Sequence, residues 1–276
     1  IHLINVAVDG RFPAHPPDPS RPEHLAVLKQ ETVAGGFDLA LAFDGDGDRM
    51  AAIDHKGRFV DPDRLLAVIA RFVLAETPGA TVVIDSKASD LVIETVEAAG
   101  GRCVRARTGR SHIQEVMETE GAALGGEQSG HVFLSPPPFG PDDALYAALF
   151  LLVRLGQSHE KLADILDSLP TRAHTTEIRH PVDESVKRNL VEHVDANLIA
   201  NPDSTRHIDR MDGIRAIYPD GWWLVRASDT EELITLRAEG INTDALTRIV
   251  ANLTHMLRSC KIPIPAELSK YQRRHP

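Results

Sequence analysis

The stretch Leu39-Ala40-Leu41-Ala42-Phe43-Asp44-Gly45-Asp46-Gly47-Asp48-Arg49 runs from five apolar residues straight into three aspartates interleaved with glycines and closed by an arginine. The apolar run reads as a buried strand, and the glycines open backbone conformations closed to other residues in the loop behind it. Alternate carboxylates in such a loop can turn their oxygens onto one point, which is the donor set a hard divalent cation such as Mg²⁺ takes. A calcium EF-hand also begins with spaced aspartates, but it needs Gly and Glu where this chain has Arg49 and His55. An aspartyl phosphatase, with Asp44 as nucleophile and Asp46 as acid, stays open on these residues. The plainer reading, an acidic turn solvated by water, leaves a large like-charge repulsion without a cation.

Outward from this loop, strand candidates at residues 4–8, 39–43, 81–85 and 103–106 alternate with helix-length segments, the pattern of an α/β fold. Asp61-Pro62 marks a helix start, with Leu65, Leu66, Ile69, Phe72 and Val73 on one face and a stop at Thr77-Pro78-Gly79. Further helices are expected over residues 89–99, 111–120, from Pro141-Asp142-Asp143 onward, and near 160–168. Beyond Pro170 the pattern changes. Strands near 175–179, 206–209, 214–218, 223–227 and 233–238 are joined partly by tight turns such as Met211-Asp212-Gly213, with helices at 183–199 and 243–258. Short turns imply antiparallel pairing, hence a separate α+β module. The expected boundaries divide the chain into 1–58, 59–170 and 171–276. The first piece is too small for a comfortable core of its own. The Pro-rich stretches 12–22 and 135–138 read as surface connections.

Composition narrows the function. Of 276 residues, 30 are Lys or Arg and 40 are Asp or Glu, a net charge of −10 that argues against a nucleic-acid partner. The longest apolar run, residues 147–153, is far below the roughly 20 residues of a membrane span. Two distant cysteines, Cys103 and Cys260, fit a reducing, cytoplasmic setting. The opening Ile1-His2-Leu3-Ile4-Asn5-Val6-Ala7-Val8 has neither an initiator Met nor a signal-peptide pattern, and reads as a strand cut from a longer chain.

Two further motifs carry chemistry. Gly125-Gly126-Glu127-Gln128-Ser129-Gly130-His131 offers a carboxylate, a hydroxyl and an imidazole, a donor and acceptor mix suited to sugar hydroxyls. No G-x-S-x-G elbow supports a serine hydrolase. Arg226-Ala227-Ser228-Asp229-Thr230 combines a guanidinium fork with hydroxyls, a credible phosphate site, although Glu231 and Glu232 follow at once and cut against an anion. Lys87 and Arg107-Thr108-Gly109-Arg110 stand at strand ends, where open α/β sheets place ligands. Arg49, Lys87, Arg110 and Arg226 would be loop cations on an acidic chain, a local exception that a phosphorylated substrate would use.

Together, Asp44–Arg49, the loop 126–131 and Arg226–Thr230, with Val8-Asp9-Gly10, Pro17-Asp18-Pro19, Asp212-Gly213-Ile214-Arg215 and Gly221-Trp222-Trp223, resemble the α-D-phosphohexomutases over essentially residues 1–260. The likeness leans toward the phosphomannomutase/phosphoglucomutase branch. It implies the end of the second of four domains, all of the third, and all of the fourth. It also implies Mg²⁺ on Asp44, Asp46 and Asp48, Arg49 and Lys87 near the transferring phosphoryl group, and Arg110, Glu127, Ser129 and His131 around the sugar. Arg226, Ser228, Asp229 and Thr230 would hold the phosphate that is not reacting. The implied reaction interconverts hexose 1-phosphate and hexose 6-phosphate through a bisphosphate, with hexose 1,6-bisphosphate as activator and a phosphoserine in the first domain.

Three departures stand out. Arg110 replaces a histidine common in the family, Asp229 and Glu232 replace the usual Asn and Pro, and no Ser in the chain is followed by His-Asn, the family's phosphoserine string. The expectation is therefore a mutase portion that is inactive alone and needs the phosphoserine domain from the same or a separate chain. A truncated module that only binds sugar phosphates is the alternative, beside the aspartyl phosphatase.

Overall fold

The protein is described here by a computed structural model covering residues 1–135, 142–203, 206–228 and 231–272. Two compact units divide it, Ile1–Pro170 and Thr171–Pro276.

In the first unit, α1 (Ala26–Ala34) lies against a three-stranded antiparallel sheet of β1 (Leu39–Phe43), β2 (Met50–Asp54) and β3 (Phe59–Val60). Phe43 sits opposite Met50, so residues 44–49 are the connection of a β-hairpin. The aspartate loop was expected behind a strand; the returning strand β2 was not. Its Met-Ala-Ala-Ile-Asp has a single β-branched residue, and it becomes a strand because all five residues are buried against neighbours.

Asp61 then caps α2 (Pro62–Glu76) by accepting from the Asp63 N–H, with proline in the first turn where no donor is needed. β4 (Thr81–Asp85), α3 (Asp90–Ala98), β5 (Arg102–Ala106), α4 (Arg110–Glu120), β6 (Leu124–Gly126) and β7 (Val132–Leu134) follow. Their sheet has the order β5-β4-β6-β7, with β4 parallel to β5 and β6, and β7 antiparallel to β6. Every residue of β4 is buried, as a central parallel strand covered on both faces requires. α5 (Ala144–Ser158) and α6 (Leu162–Ser168) complete the unit. One apolar cluster joins Met50, Ala52 and Val60 to Leu66, Ile69, Ile84 and Leu151, so the core is continuous across residue 58.

Residues 4–8 do not form the expected strand. Among the described residues they have no ladder partner, and Val6 and Val8 are exposed. An apolar β-branched run becomes a strand only when another strand takes its backbone hydrogen bonds. The Pro-rich stretch 12–22 is mostly at the surface, as expected, while residues 136–141 lie outside the described residues.

The second unit contains β8 (Ala173–His174), β9 (Ile178–Pro181), α7 (Glu184–Ala200), β10 (His207–Asp209), β11 (Ile214–Tyr218), β12 (Gly221–Ala227), β13 (Leu233–Gly240), α8 (Thr243–Ser259) and α9 (Ser269–Gln272). β10 to β13 form an antiparallel meander, and β8 and β9 both pair with β13. Trp223, Val225, Ile234, Leu236 and Ala238 point to the face covered by α7 and α8, where Leu190, Val194, Ile249 and Leu253 close the core. Mixed α/β elements followed by an antiparallel α+β unit agree with the fold class read from the sequence. No helix among the described residues is long and apolar enough to cross a membrane, and both cysteines are free thiols.

The turn into β11 depends on Gly213. It has a φ of 80°, and a Cβ there would lie 2.4 Å from the Val225 carbonyl oxygen and 2.9 Å from the Arg226 Cα. Gly213→Ala is expected to lower unfolding free energy by about 1–3 kcal/mol, read as a lower denaturant midpoint with unchanged slope.

Candidate active site

The Asp44 carboxylate organises the hairpin loop. Its Oδ1 accepts from the backbone N–H groups of Gly47, Asp48 and Arg49 at 3.0–3.1 Å, and its Oδ2 accepts from Arg49 Nε at 2.6 Å. Burial works against the charged form of Asp44, but these donors outweigh it and hold the group below its ordinary value. Asp44, Asp46 and Asp48 each offer a carboxylate oxygen within 4.8 Å of the others. Asp48 is pushed up to about 6, first by burial and further by Asp44 and Asp46, against the pull of His131. Its Oδ1 is buried with no hydrogen-bond partner. A buried carboxylate oxygen without a hydrogen bond, with Arg49 Nε 3.8 Å away, in a cluster of three carboxylates fits a hard divalent cation.

This loop is tied to the second motif by backbone. Arg49 and His131 form an antiparallel bridge, and the Met50 N–H donates to the Gly130 carbonyl at 3.2 Å. Gly130 has a φ of 101°, and a Cβ there would stand 2.9 Å from the Met50 carbonyl oxygen, so glycine permits this approach. The His131 ring lies 3.8 Å from Asp48 and 3.7 Å from Asp142. Asp142 in turn receives Arg110 at 2.9 Å. Burial raises Asp142, with Arg110 and His131 opposing. Glu127 is buried and accepts from the Gly109 N–H at 2.8 Å and the Ser129 hydroxyl at 3.0 Å.

Lys87, expected as a loop cation at a strand end, is buried there; it is 6% exposed, and its Nζ lies 3.9 Å from Asp85. Arg110 is the first residue of α4 rather than part of a loop, because Gly109 at φ 123° turns the chain directly into the helix. Arg226 lies within β12, since pairing with β13 carries that ladder on to Ala227. It is in the second unit, where its Nε donates to Asp212 at 2.8 Å. The Ser228 hydroxyl accepts from the Glu231 N–H at 3.2 Å. Asp229 and Thr230 lie outside the described residues.

Two acidic residues were missed by sequence reasoning. Asp18, in the Pro-rich stretch, lies 3.6 Å from Arg49. Asp85, fully buried at the end of β4, accepts from the Gln128 N–H and the Thr108 hydroxyl, each at 3.3 Å. One carboxylate thus connects the Lys87, Thr108 and Gln128 segments. The signal was available as an aspartate ending an otherwise apolar strand, two residues before a lysine.

An antiparallel hairpin carrying three carboxylates, bridged to the glycine-rich loop that follows a parallel α/β sheet with a buried lysine at a strand end, defines a mixed α/β scaffold. The chain belongs to the phosphoglucomutase/phosphomannomutase family: models of its alpha/beta/alpha domain II, alpha/beta/alpha domain III and C-terminal domain match residues 2–57, 61–173 and 177–256. The phosphomannomutase/phosphoglucomutase of Pseudomonas aeruginosa is 38% identical over 94% of this chain and 56% of that protein. A phosphoglucomutase of Neisseria gonorrhoeae is 39% identical over 88% and 52%. The crystal structure of a phosphoglucomutase/phosphomannomutase family protein from Burkholderia thailandensis superposes with a TM-score of 0.82 at 33% identity, over 92% of this chain and 54% of that one. The chain spans about half the length of the curated relatives it matches.

Burial is the main cause that raises Asp85 to about 6, with Glu127 and Asp63 adding to it and Lys87 opposing. The folded state therefore holds this proton more tightly than the unfolded chain, so the Asp85 contribution to stability falls as pH rises from about 4 through about 6. Asp85→Asn is expected to flatten that part of the stability profile in denaturant titrations, and to speed hydrogen exchange at the Gln128 amide.

Proposed function

We propose that these residues are the metal, sugar and distal-phosphate portion of a phosphohexomutase that interconverts hexose 1-phosphate and hexose 6-phosphate through a bisphosphate. The observation that carries this reading is the Arg49–His131 bridge, which joins a three-aspartate loop to a loop rich in sugar-binding groups. The names and folds of the relatives support the same class.

In this reading Asp44, Asp46 and Asp48 hold one Mg²⁺, which when bound neutralises charge on the transferring phosphoryl oxygens. Arg49 and the buried Lys87 add positive charge beside it, Lys87 with little water to screen it. Phosphoryl transfer is mainly positioning plus charge stabilisation, so fixed cations matter more than a covalent role for the protein here. Glu127 keeps a lone pair on each oxygen beyond its Gly109 and Ser129 bonds and can accept from sugar hydroxyls. Ser129 and His131 line the same loop, and Arg110, through Asp142, fixes the far side of His131. Arg226 and Ser228, with Asp229 and Thr230, take the phosphate that is not reacting. A phosphoryl-carrying serine has no Ser-His-Asn string among these 276 residues and is assigned to a further domain, of the same or a separate chain. Free cysteines are consistent with a cytoplasmic setting.

Calorimetric titration tests the metal assignment: Asp46→Asn is expected to weaken Mg²⁺ binding by at least roughly 10-fold, and unchanged binding would remove the loop from the mechanism. Turnover tests the rest. Hexose 1-phosphate should be converted by a longer chain carrying any upstream coding sequence with the Ser-His-Asn string, in the presence of Mg²⁺ and bisphosphate. Conversion by the 276 residues alone would overturn the need for an external carrier. Mg²⁺-dependent phosphate release without isomerisation, lost in Asp44→Asn, would favour the aspartyl phosphatase. Sugar-phosphate binding with no turnover by either chain would favour the binding module.

A further inference from the structure

The Arg226 loop carries Glu231 and Glu232 directly behind it, an acidity that should repel a phosphate. In the second unit, Arg226 stands opposite Thr235 on β13, and Thr235 stands opposite Arg179 on β9. The three residues therefore form one cross-strand row on the face turned away from α7 and α8. Two arginines lie on adjoining strands either side of β13, about 10 Å apart at Cα by the ordinary strand spacing.

Arg179 spends its guanidinium on the loop. Its terminal nitrogen forms an ion pair with the Glu231 carboxylate. Lys187, in the first turns of α7, donates to the Glu231 backbone carbonyl at 2.8 Å and lies 3.6 Å from Glu184. The backbone is held in register beside this pair: the Ser228 N–H donates to the Leu233 carbonyl at 3.0 Å, the Glu231 N–H to the Ser228 hydroxyl, and the Val182 N–H to the Glu232 carbonyl at 3.3 Å. The second glutamate is exposed to solvent, where water screens it. Glu231 is thus tied back toward β9 and α7 by one cation on its side chain and another on its carbonyl.

We infer that Arg179, assisted by Lys187, is a positioning residue that neutralises and holds Glu231, so that the strand end bearing Arg226 and Ser228 can take a phosphate despite the acidic residues that follow. The inference rests on the reading of Arg226 as a phosphate ligand. Arg179 does not touch the phosphate; it removes a repulsion. That distinction has a measurable consequence, because a compensated charge can be dispensed with when its partner is also removed, whereas a direct ligand cannot.

The test is a double-mutant cycle on the 276-residue chain, with glucose 1-phosphate binding measured by calorimetry for the unsubstituted protein, Arg179→Ala, Glu231→Gln and the double variant. Arg179→Ala is expected to weaken binding about 5-fold, the size of an exposed ion-pair effect. The double variant is expected to return to within about 2-fold of the starting affinity. A double variant as weak as Arg179→Ala overturns the inference and makes Arg179 a direct ligand. Hydrogen exchange supplies a readout without ligand: Arg179→Ala should accelerate exchange at the Glu231 amide, and unchanged exchange together with unchanged affinity also overturns it. Arg226→Ala separates the two readings. If it leaves affinity intact, the distal-phosphate assignment fails, while the exchange result still reports on the Arg179–Glu231 contact.

Discussion

Three backbone N–H groups converge on one oxygen of Asp44, and the candidate site is built on that convergence. Without it, residues 44–49 would be a charged connection between two short strands; with it, they become a fixed turn that gathers the half-buried Asp48 and the exposed Asp46 about Asp44. The loop conformation is set by hydrogen bonds inside the chain, so its three carboxylates are held close together by the chain itself. Arg49 completes the arrangement from the other side. Its Nε satisfies Asp44, its backbone bridges to His131, and its terminal nitrogen lies near Asp18, so one residue connects the hairpin, the 126–131 loop and the Pro-rich segment.

A second tie of the same kind sits at the end of β4. Asp85 is costly to bury as a charge, and its carboxyl is raised accordingly. Its acceptors are nonetheless used by the Gln128 amide and the Thr108 hydroxyl, with Lys87 alongside. Such a group contributes less to stability than to placement. It sets three strand-end segments at fixed distances, which is what a site relying on positioned charges needs.

Much of the arrangement could be read in the sequence, and the failures share a cause. Local signals sufficed where a residue acts on its own neighbours: Asp61 and Pro62 start α2, Gly121 ends α4, and the apolar run 81–85 forms β4. The three aspartates were legible because their spacing is itself the geometry. Partners distant in sequence were not. β2 looks unlike a strand until β1 and α2 cover it, and residues 4–8 look like a strand that the described residues never pair. Lys87 was singled out as a strand-end cation, but its burial was not legible, because nothing adjacent in sequence shows that β4 ends inside the unit. The ion pair of Arg179 with Glu231 was likewise illegible, because Arg179, some fifty residues earlier, gives no sign of facing Glu231 until β9 and β13 pair.

The bridge between Arg49 and His131 also bears on time. The hairpin around Asp44 closes a short loop, a local event of microseconds, although β2 is buried only when its neighbours cover it. The bridge joins residues far apart in sequence, a non-local pairing of the class that forms slowly. Closing the aspartate loop therefore costs little chain entropy, and tying it to the 126–131 loop costs more.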